Sequence, residues 1–161
     1  MIVFGTLIFF SGKMGAGKSK MSAEIARERG AVLISEDEWL ANLFPGEIKD
    51  FSDYARYSSR LKPLLKVHVE QILISGTSVV LDFPGNTKKQ RAWFKEIYGP
   101  RGIPHQLYYL QVDDDVCLRR LQERRKEQPE RANFDTEEVF REVTRYFEPS
   151  EESEEFNVTV V

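Results

Sequence analysis

The sequence predicts an α/β domain built on a mainly parallel sheet covered by helices. Three observations carry that expectation. Short apolar runs bounded by turn residues alternate with longer amphipathic stretches, the pattern of repeated strand-and-helix units. The first apolar run leads straight into a glycine-rich segment followed by a helix-spaced stretch. The 161 residues, 41% hydrophobic and 30% charged, suffice for one ordinary domain and not for several modules, so residues 1–161 read as a single domain.

Five strands are expected, at residues 6–10, 31–34, 78–81, 106–112 and 157–161. The second and third are almost wholly apolar, as strands covered on both faces should be. Between them, residues 18–29 form a helix stopped by Gly30. Leu61, Leu65, Val69 and Ile72 have helical spacing up to Gly76, with Pro63 starting or kinking that helix. Thr87 with Gln90 makes a capping box for a helix through Ile97. Asp113 to Asp115 cap another through Arg125, and Asp135 or Thr136 opens a last one ending near Pro149. Residues 151–155 carry four Glu and read as a solvated loop.

Composition removes several function classes. Lys and Arg total 23 against 26 Asp and Glu, a formal charge of −3, so no global basic field holds nucleic acid. One cysteine, Cys117, makes no internal disulfide, and His68 and His105 are too few and too scattered for a zinc site. Cys117 and His68 read as packed helix residues. The apolar run at residues 2–10 is too short to span a bilayer and no later run is longer, so no membrane and a reducing, cytoplasmic compartment are expected.

The strongest signal is Gly12-Lys13-Met14-Gly15-Ala16-Gly17-Lys18-Ser19, a full match to G-x-x-x-x-G-K-S/T between an expected strand and an expected helix. The glycines let the backbone turn sharply and bring its N–H groups to phosphate oxygens, while the helix presents its positive end. Lys18 then reaches the β and γ phosphates, and Ser19 offers a hydroxyl to Mg²⁺.

Asp82, at the end of the third strand, suits the metal or its water shell, although it also reads as a turn residue before Pro84 and Gly85. Phe83 follows it where hydrolytic motors commonly place a glutamate, and the D-x-x-G of residues 82–85 has no N-K-x-D guanine-reading motif beside it. Asp37, just past the second strand, stands where a base would take the proton of an acceptor hydroxyl. Ser35 with Glu38 is also a capping box and acids favour a first helical turn, so both readings of Asp37 remain open. Arg120 and Arg124 share a helix face at i, i+4, where like charges repel unless an anion lies between them. Polyphosphate is one such anion; pairing with Glu123 and Glu127 on a solvated face is the other account.

With GKMGAGKS at 12–19, ISEDEW at 34–39, VVLDFPGNT at 79–87 and LRRLQER at 118–124, the chain resembles the small P-loop kinases grouped around zeta toxins, chloramphenicol phosphotransferase and polynucleotide 5′-kinases. The resemblance implies a three-layer P-loop NTPase fold, with helices on both faces of a five-stranded parallel sheet of order 2-3-1-4-5. It implies ATP and Mg²⁺ as cofactors, Asp37 as the group that activates the acceptor, and Arg120 and Arg124 as lid arginines contacting adenine and γ phosphate. Residues 149–156 resemble the adenine-side loop. Trp39 and Leu40 stand where polynucleotide kinases carry an arginine, which weighs against a 5′-phosphate acceptor.

The expected activity is transfer of the γ-phosphoryl group of ATP to a hydroxyl of a small-molecule acceptor, with Lys18, Asp37, Arg120 and Arg124 catalytic and Ser19 and Asp82 on the metal. Phe51, Tyr54 and Tyr57 with Arg60 fill the acceptor region, and Asn86 and Arg91 offer polar contacts at its mouth; each also reads as an ordinary packing, cap or surface residue. Two alternatives remain. Lys88, Lys89, Arg91 and Lys95 make a basic strip that would admit a nucleic-acid 5′ end, without the interleaved aromatic platform such binding favours. A non-catalytic module that ATP orders for a partner protein is the other.

Overall fold

The computed structural model describes residues 3–161; Met1 and Ile2, where the opening apolar run begins, lie outside the described residues. Strands β1 (Leu7–Ser11), β2 (Val32–Ser35), β3 (Val79–Asp82), β4 (His105–Tyr109) and β5 (Val158–Val160) form a parallel sheet of order 2-3-1-4-5, as expected. The helices are α1 (Lys18–Arg29), α2 (Glu36–Leu43), α3 (Phe51–Ile74), α4 (Lys88–Tyr98), α5 (Asp114–Glu127) and α6 (Glu137–Thr144).

β1 is the central strand and every residue of it is buried. Because side chains alternate across a strand, Leu7 and Phe9 point into a core shared with α3 and α4, whereas Ile8 and Phe10 join a second core with α1, α5 and α6. Phe9 stacks on Phe94 of α4 with centroids 4.4 Å apart, and burying a ring of this size contributes roughly 1.5–3 kcal/mol. Parallel strands with helices on both faces bring all strand C-termini to one edge, and the crevice along that edge is where such folds bind ligands.

α1 has its expected bounds and ends at Gly30 in the left-handed conformation, φ 61°. The Thr87–Gln90 capping box forms in full. Ser35 accepts from Glu38 N–H at 3.4 Å, so of the second expected box only this half is present among the described residues.

Several expectations change. β2 pairs only with β3 and is an edge strand, so Val32 and Leu33 are exposed rather than covered on both faces. β4 stops at Tyr109, not residue 112, because its neighbour β1 ends at the paired Ser11. α3 starts twelve residues before Pro63, held by Asp50 accepting from Asp53 N–H at 2.8 Å, and carries Pro63 on its exposed side. His68 is exposed on the same helix, not packed, whereas Cys117 is buried. Thr136 caps α6, which ends at Thr144.

The glutamate-rich segment is solvent-exposed as expected, apart from the half-buried Glu154, but it is tied to α4 rather than free. Arg91 is fully buried and forks onto Glu154 at 2.9 and 3.1 Å, Lys88 pairs with Glu151 at 3.1 Å, and Lys95 donates to the Glu154 carbonyl at 3.0 Å. This clasp pairs Lys88 and Arg91, two of the four cations of the expected basic strip, with carboxylates. It also docks Glu151 and Glu154 on α4, whose three cations repeat along one face of that helix. Among the described residues no helix is long and apolar enough to cross a membrane.

Candidate active site

The phosphate loop occupies the turn from β1 into α1. Gly15 has φ +78° and a Cβ there would stand 2.6 Å from the Cys117 carbonyl oxygen, so glycine is required for conformation and for space. Gly17, φ +102°, is the N-cap of α1 and supplies no capping side chain, and the first turn of α1 contains no acid. The positive end of that helix is therefore left to an external anion. Gly12 N–H is held by Asn86 Oδ1 at 2.8 Å, which ties the loop mouth to the segment after β3.

Lys18 lies half-buried with Nζ donating to the Gly12 carbonyl at 2.5 Å. Burial lowers its pKa to about 8, partly offset by the charges of Asp82 and Asp37. Ser19 Oγ donates to Asp82 Oδ2 at 2.8 Å. Burial raises the Asp82 pKa, against the Ser19 hydrogen bond, and Asp37 adds to the rise. A divalent ion between these two groups would remove that penalty. Among the described residues no three His, Cys, Asp or Glu converge on a metal position. A hydroxyl and one carboxylate beside a phosphate site suit Mg²⁺, which keeps waters and takes phosphate oxygens for most of its shell.

Asp82 lies at the end of β3, level with Ser35 at the end of β2. Asp37 follows in the first turn of α2, exposed at the cleft rim, 3.8 Å from Arg131 Nη1. Its neighbour Glu36 is buried and accepts from Tyr54 Oη and from Ser58 Oγ, the latter at 2.8 Å. Burial raises the Glu36 pKa although both hydrogen bonds oppose the shift.

The arginine pair of α5 diverges instead of clamping one anion. Arg120 Nη1 donates to the carbonyls of Ala16 at 3.0 Å and Gly15 at 3.4 Å. Arg124 forks onto Asp135 at 2.6 and 2.7 Å, and Arg131, from the 3₁₀ turn Pro129–Arg131, reaches the same carboxylate at 3.0 and 3.4 Å. Burial opposes the charged form of Asp135, yet the two guanidiniums outweigh it and hold its pKa below the usual range. Arg124 keeps Nη1 out of that fork.

One cleft of about 960 Å³ joins Lys18, Ser19, Asp82, Asp37, Arg120 and Arg124 and continues past Phe44, Phe51, Tyr54 and Phe134. That is at the upper end of the roughly 300–1,000 Å³ of small-ligand sites. Lys13 lines a separate depression, paired with Asp114 at 2.8 Å. Tyr57 and Arg60 leave the acceptor group: Tyr57 is buried against Phe44, centroids 4.2 Å apart, and Arg60 covers its ring at 5.5 Å. Arg91 leaves it as well, being buried in the clasp. Sequence reasoning missed Glu36, Arg131, Phe134 and Asp135. For Glu36 a signal existed, since Tyr54 and Ser58 stand at i, i+4 once α3 is known to begin at Phe51.

The sheet order, the glycine loop and the ligand cleft at the strand C-termini define a P-loop kinase-like domain. The chain belongs to the AAA domain family, whose model matches residues 7–150. Among solved structures it is similar to a putative kinase from Chloroflexus aurantiacus, with 17% identity, a TM-score of 0.71, and coverage of 100% of this chain and 86% of that one. Chaetomium thermophilum Kti12 in complex with ADP-AlF3 gives 16%, 0.66, 96% and 88%. Mycobacterium tuberculosis APS kinase CysC in complex with AMPPNP and APS gives 21%, 0.57, 81% and 73%. At these identities the likeness concerns the fold. No curated protein sequence matches the chain.

Proposed function

We propose that the protein is an ATP- and Mg²⁺-dependent kinase that phosphorylates a hydroxyl of a small-molecule acceptor. The observation that carries this reading is the single cleft in which a complete phosphate loop and the Ser19–Asp82 pair open toward Asp37 and an aromatic wall. The acceptor hydroxyl gives its proton to the Asp37 carboxylate as its oxygen bonds to the γ phosphorus. The bond from that phosphorus to the β,γ-bridging oxygen breaks, and ADP leaves. The loop amides and Lys18 hold the phosphates, Arg120 supports the loop and the nucleotide beside it, and Arg124 Nη1 meets the charge spreading over the transferred group. Mg²⁺ at Ser19 and Asp82 would supply further positive charge against the β and γ phosphates. Catalysis is then mainly positioning and charge stabilisation.

Pairing of Lys88 and Arg91 with carboxylates of the clasp, with Lys95 held on a backbone carbonyl, favours a small acceptor over a nucleic-acid end. The fold-level likeness to an APS kinase solved in complex with AMPPNP and APS is compatible with phosphotransfer. We take the cytoplasm as the compartment, with Cys117 a buried free thiol. The test is ADP release by the full chain against a library of metabolites, nucleosides and antibiotics, with Asp37→Asn as control. Acceptor-dependent ADP that Asp37→Asn loses while still binding ATP supports the kinase. ATP binding with no acceptor-dependent ADP favours the gated module, labelled phosphate on 5′-hydroxyl oligonucleotides favours the end kinase, and equal loss of binding and transfer returns Asp37 to a helix-terminus role.

A further inference from the structure

The acceptor end of the cleft has a definite chemical character. Leu40, Phe44, Ile48, Phe51, Tyr54 and Phe134 line it. Phe51 and Phe134 meet edge to face at 5.9 Å, joining α3 to the segment after the 3₁₀ turn. Phe51 is 43% exposed, so its ring has a free face for a ligand. Such a wall binds an apolar ring by burial and edge or face contact.

Its charges are unbalanced. Two of the three guanidiniums that line the cleft, Arg124 and Arg131, are matched by Asp135 and Asp37. Lys18 and Lys20 of α1 and Arg120 of α5 line the cleft beside the phosphate loop. Glu36 and Glu130 line it with no ion-pair partner among the described residues, Glu36 satisfied only by hydroxyls. Lys62 acts on Glu36 through space, but its ammonium stands over the Trp93 ring at 5.4 Å and outside the cleft. An entering anion would face the unpaired Glu130 and Glu36, while Arg124 and Arg131 are already paired with Asp135 and Asp37. A protonated amine would meet carboxylates and aromatic faces, both of which attract it.

We propose that the acceptor is a hydroxyl compound carrying an apolar ring and no negative charge, and that a protonated amine is preferred over a neutral substituent. This rests on the phosphotransfer reading and names its acceptor class.

Phenylalaninol, 3-phenyl-1-propanol and 3-phenyllactate share a phenylpropyl skeleton and a hydroxyl and differ in charge. Their dissociation constants for the full chain are measured by ligand-observed NMR in the presence of ADP and Mg²⁺, with no turnover required. The expected order is phenylalaninol tightest and 3-phenyllactate at least tenfold weaker. Glu130→Gln should narrow that ratio severalfold, and Phe134→Ala should weaken all three probes while leaving the ADP dissociation constant unchanged. Phenyllactate binding as tightly as phenylalaninol, a ratio unmoved by Glu130→Gln, or no probe bound by a chain that binds ADP overturns the inference and leaves the kinase reading standing. Failure to bind ADP overturns both, so the two failures are distinguishable.

Discussion

Replacing Arg91 by Met tests whether the glutamate clasp holds the domain together. Arg91 is fully buried, its Nε and Nη2 donate to Glu154 at 2.9 and 3.1 Å, and Nη1 donates to the Gly85 carbonyl at 3.1 Å. Methionine fills most of the volume but removes the donor to the Gly85 carbonyl and leaves the Glu154 carboxylate with only the Glu151 N–H. Removing one partner of a buried ion pair costs about 3–5 kcal/mol. The Glu154 side chain is 15% exposed and regains some water, so we expect a loss of about 2–4 kcal/mol. Urea denaturation at pH 7 measures it. Arg91→Met with Glu154→Leu should recover much of the loss, since the double change removes the stranded charge. The pair also carries a pH signature. Burial opposes the charged form of Glu154, but Arg91 and the Glu151 backbone outweigh it and hold the pKa below its ordinary 4.5. A depressed folded pKa gives stability that is present above the unfolded value and lost as pH falls through the folded one. The wild type should therefore lose this contribution below about pH 4.5, and Arg91→Met should lack that part of the acid limb. A change under about 1 kcal/mol at pH 7, with an unaltered acid limb, would refute the reasoning.

Lys18 titrates near pH 8 in the nucleotide-free protein, and phosphate favours its charged form. Nucleotide affinity should fall as pH rises through 8, approaching tenfold per unit above it; ADP titrations at pH 7, 8 and 9 check this, and a flat profile contradicts it. Lys18→Ala should abolish turnover and leave the urea midpoint near the wild-type value. Gly15→Ala forces a Cβ to 2.6 Å from the Cys117 carbonyl at φ +78°, so it should cost about 2 kcal/mol or more and weaken ADP binding, measured by denaturation and titration together.

What the sequence makes legible is what lies close along the chain. The phosphate loop, the α1 bounds and the Thr87 capping box each occupy consecutive residues, so spacing alone carries them. Strand order needs more: it follows from the resemblance of four motifs, not from any single run. The Arg91–Glu154 pair spans 63 residues, and nothing near either residue marks the other. Arg124 reads either as a phosphate contact or as a cation on a solvated face, and Arg131 draws no notice, because Asp135, the group that gathers them, lies beyond a turn. β2 reads as a covered strand because its residues are apolar, whereas its place at the sheet edge depends on where β3 and β1 go. The aromatic run at 51–57 hides the first half of α3, since its side chains serve cleft and core at once.

The central claim is that the loop of residues 12–19, through its free amides and the Lys18 and Ser19 side chains, holds the phosphates of a nucleotide. Isothermal titration calorimetry of the full chain with ADP and with a non-hydrolysable ATP analogue tests it most directly. One saturable site is predicted, tighter with Mg²⁺ than with EDTA, with the Mg²⁺ gain lost in Ser19→Ala. No saturable heat at millimolar nucleotide would contradict the account.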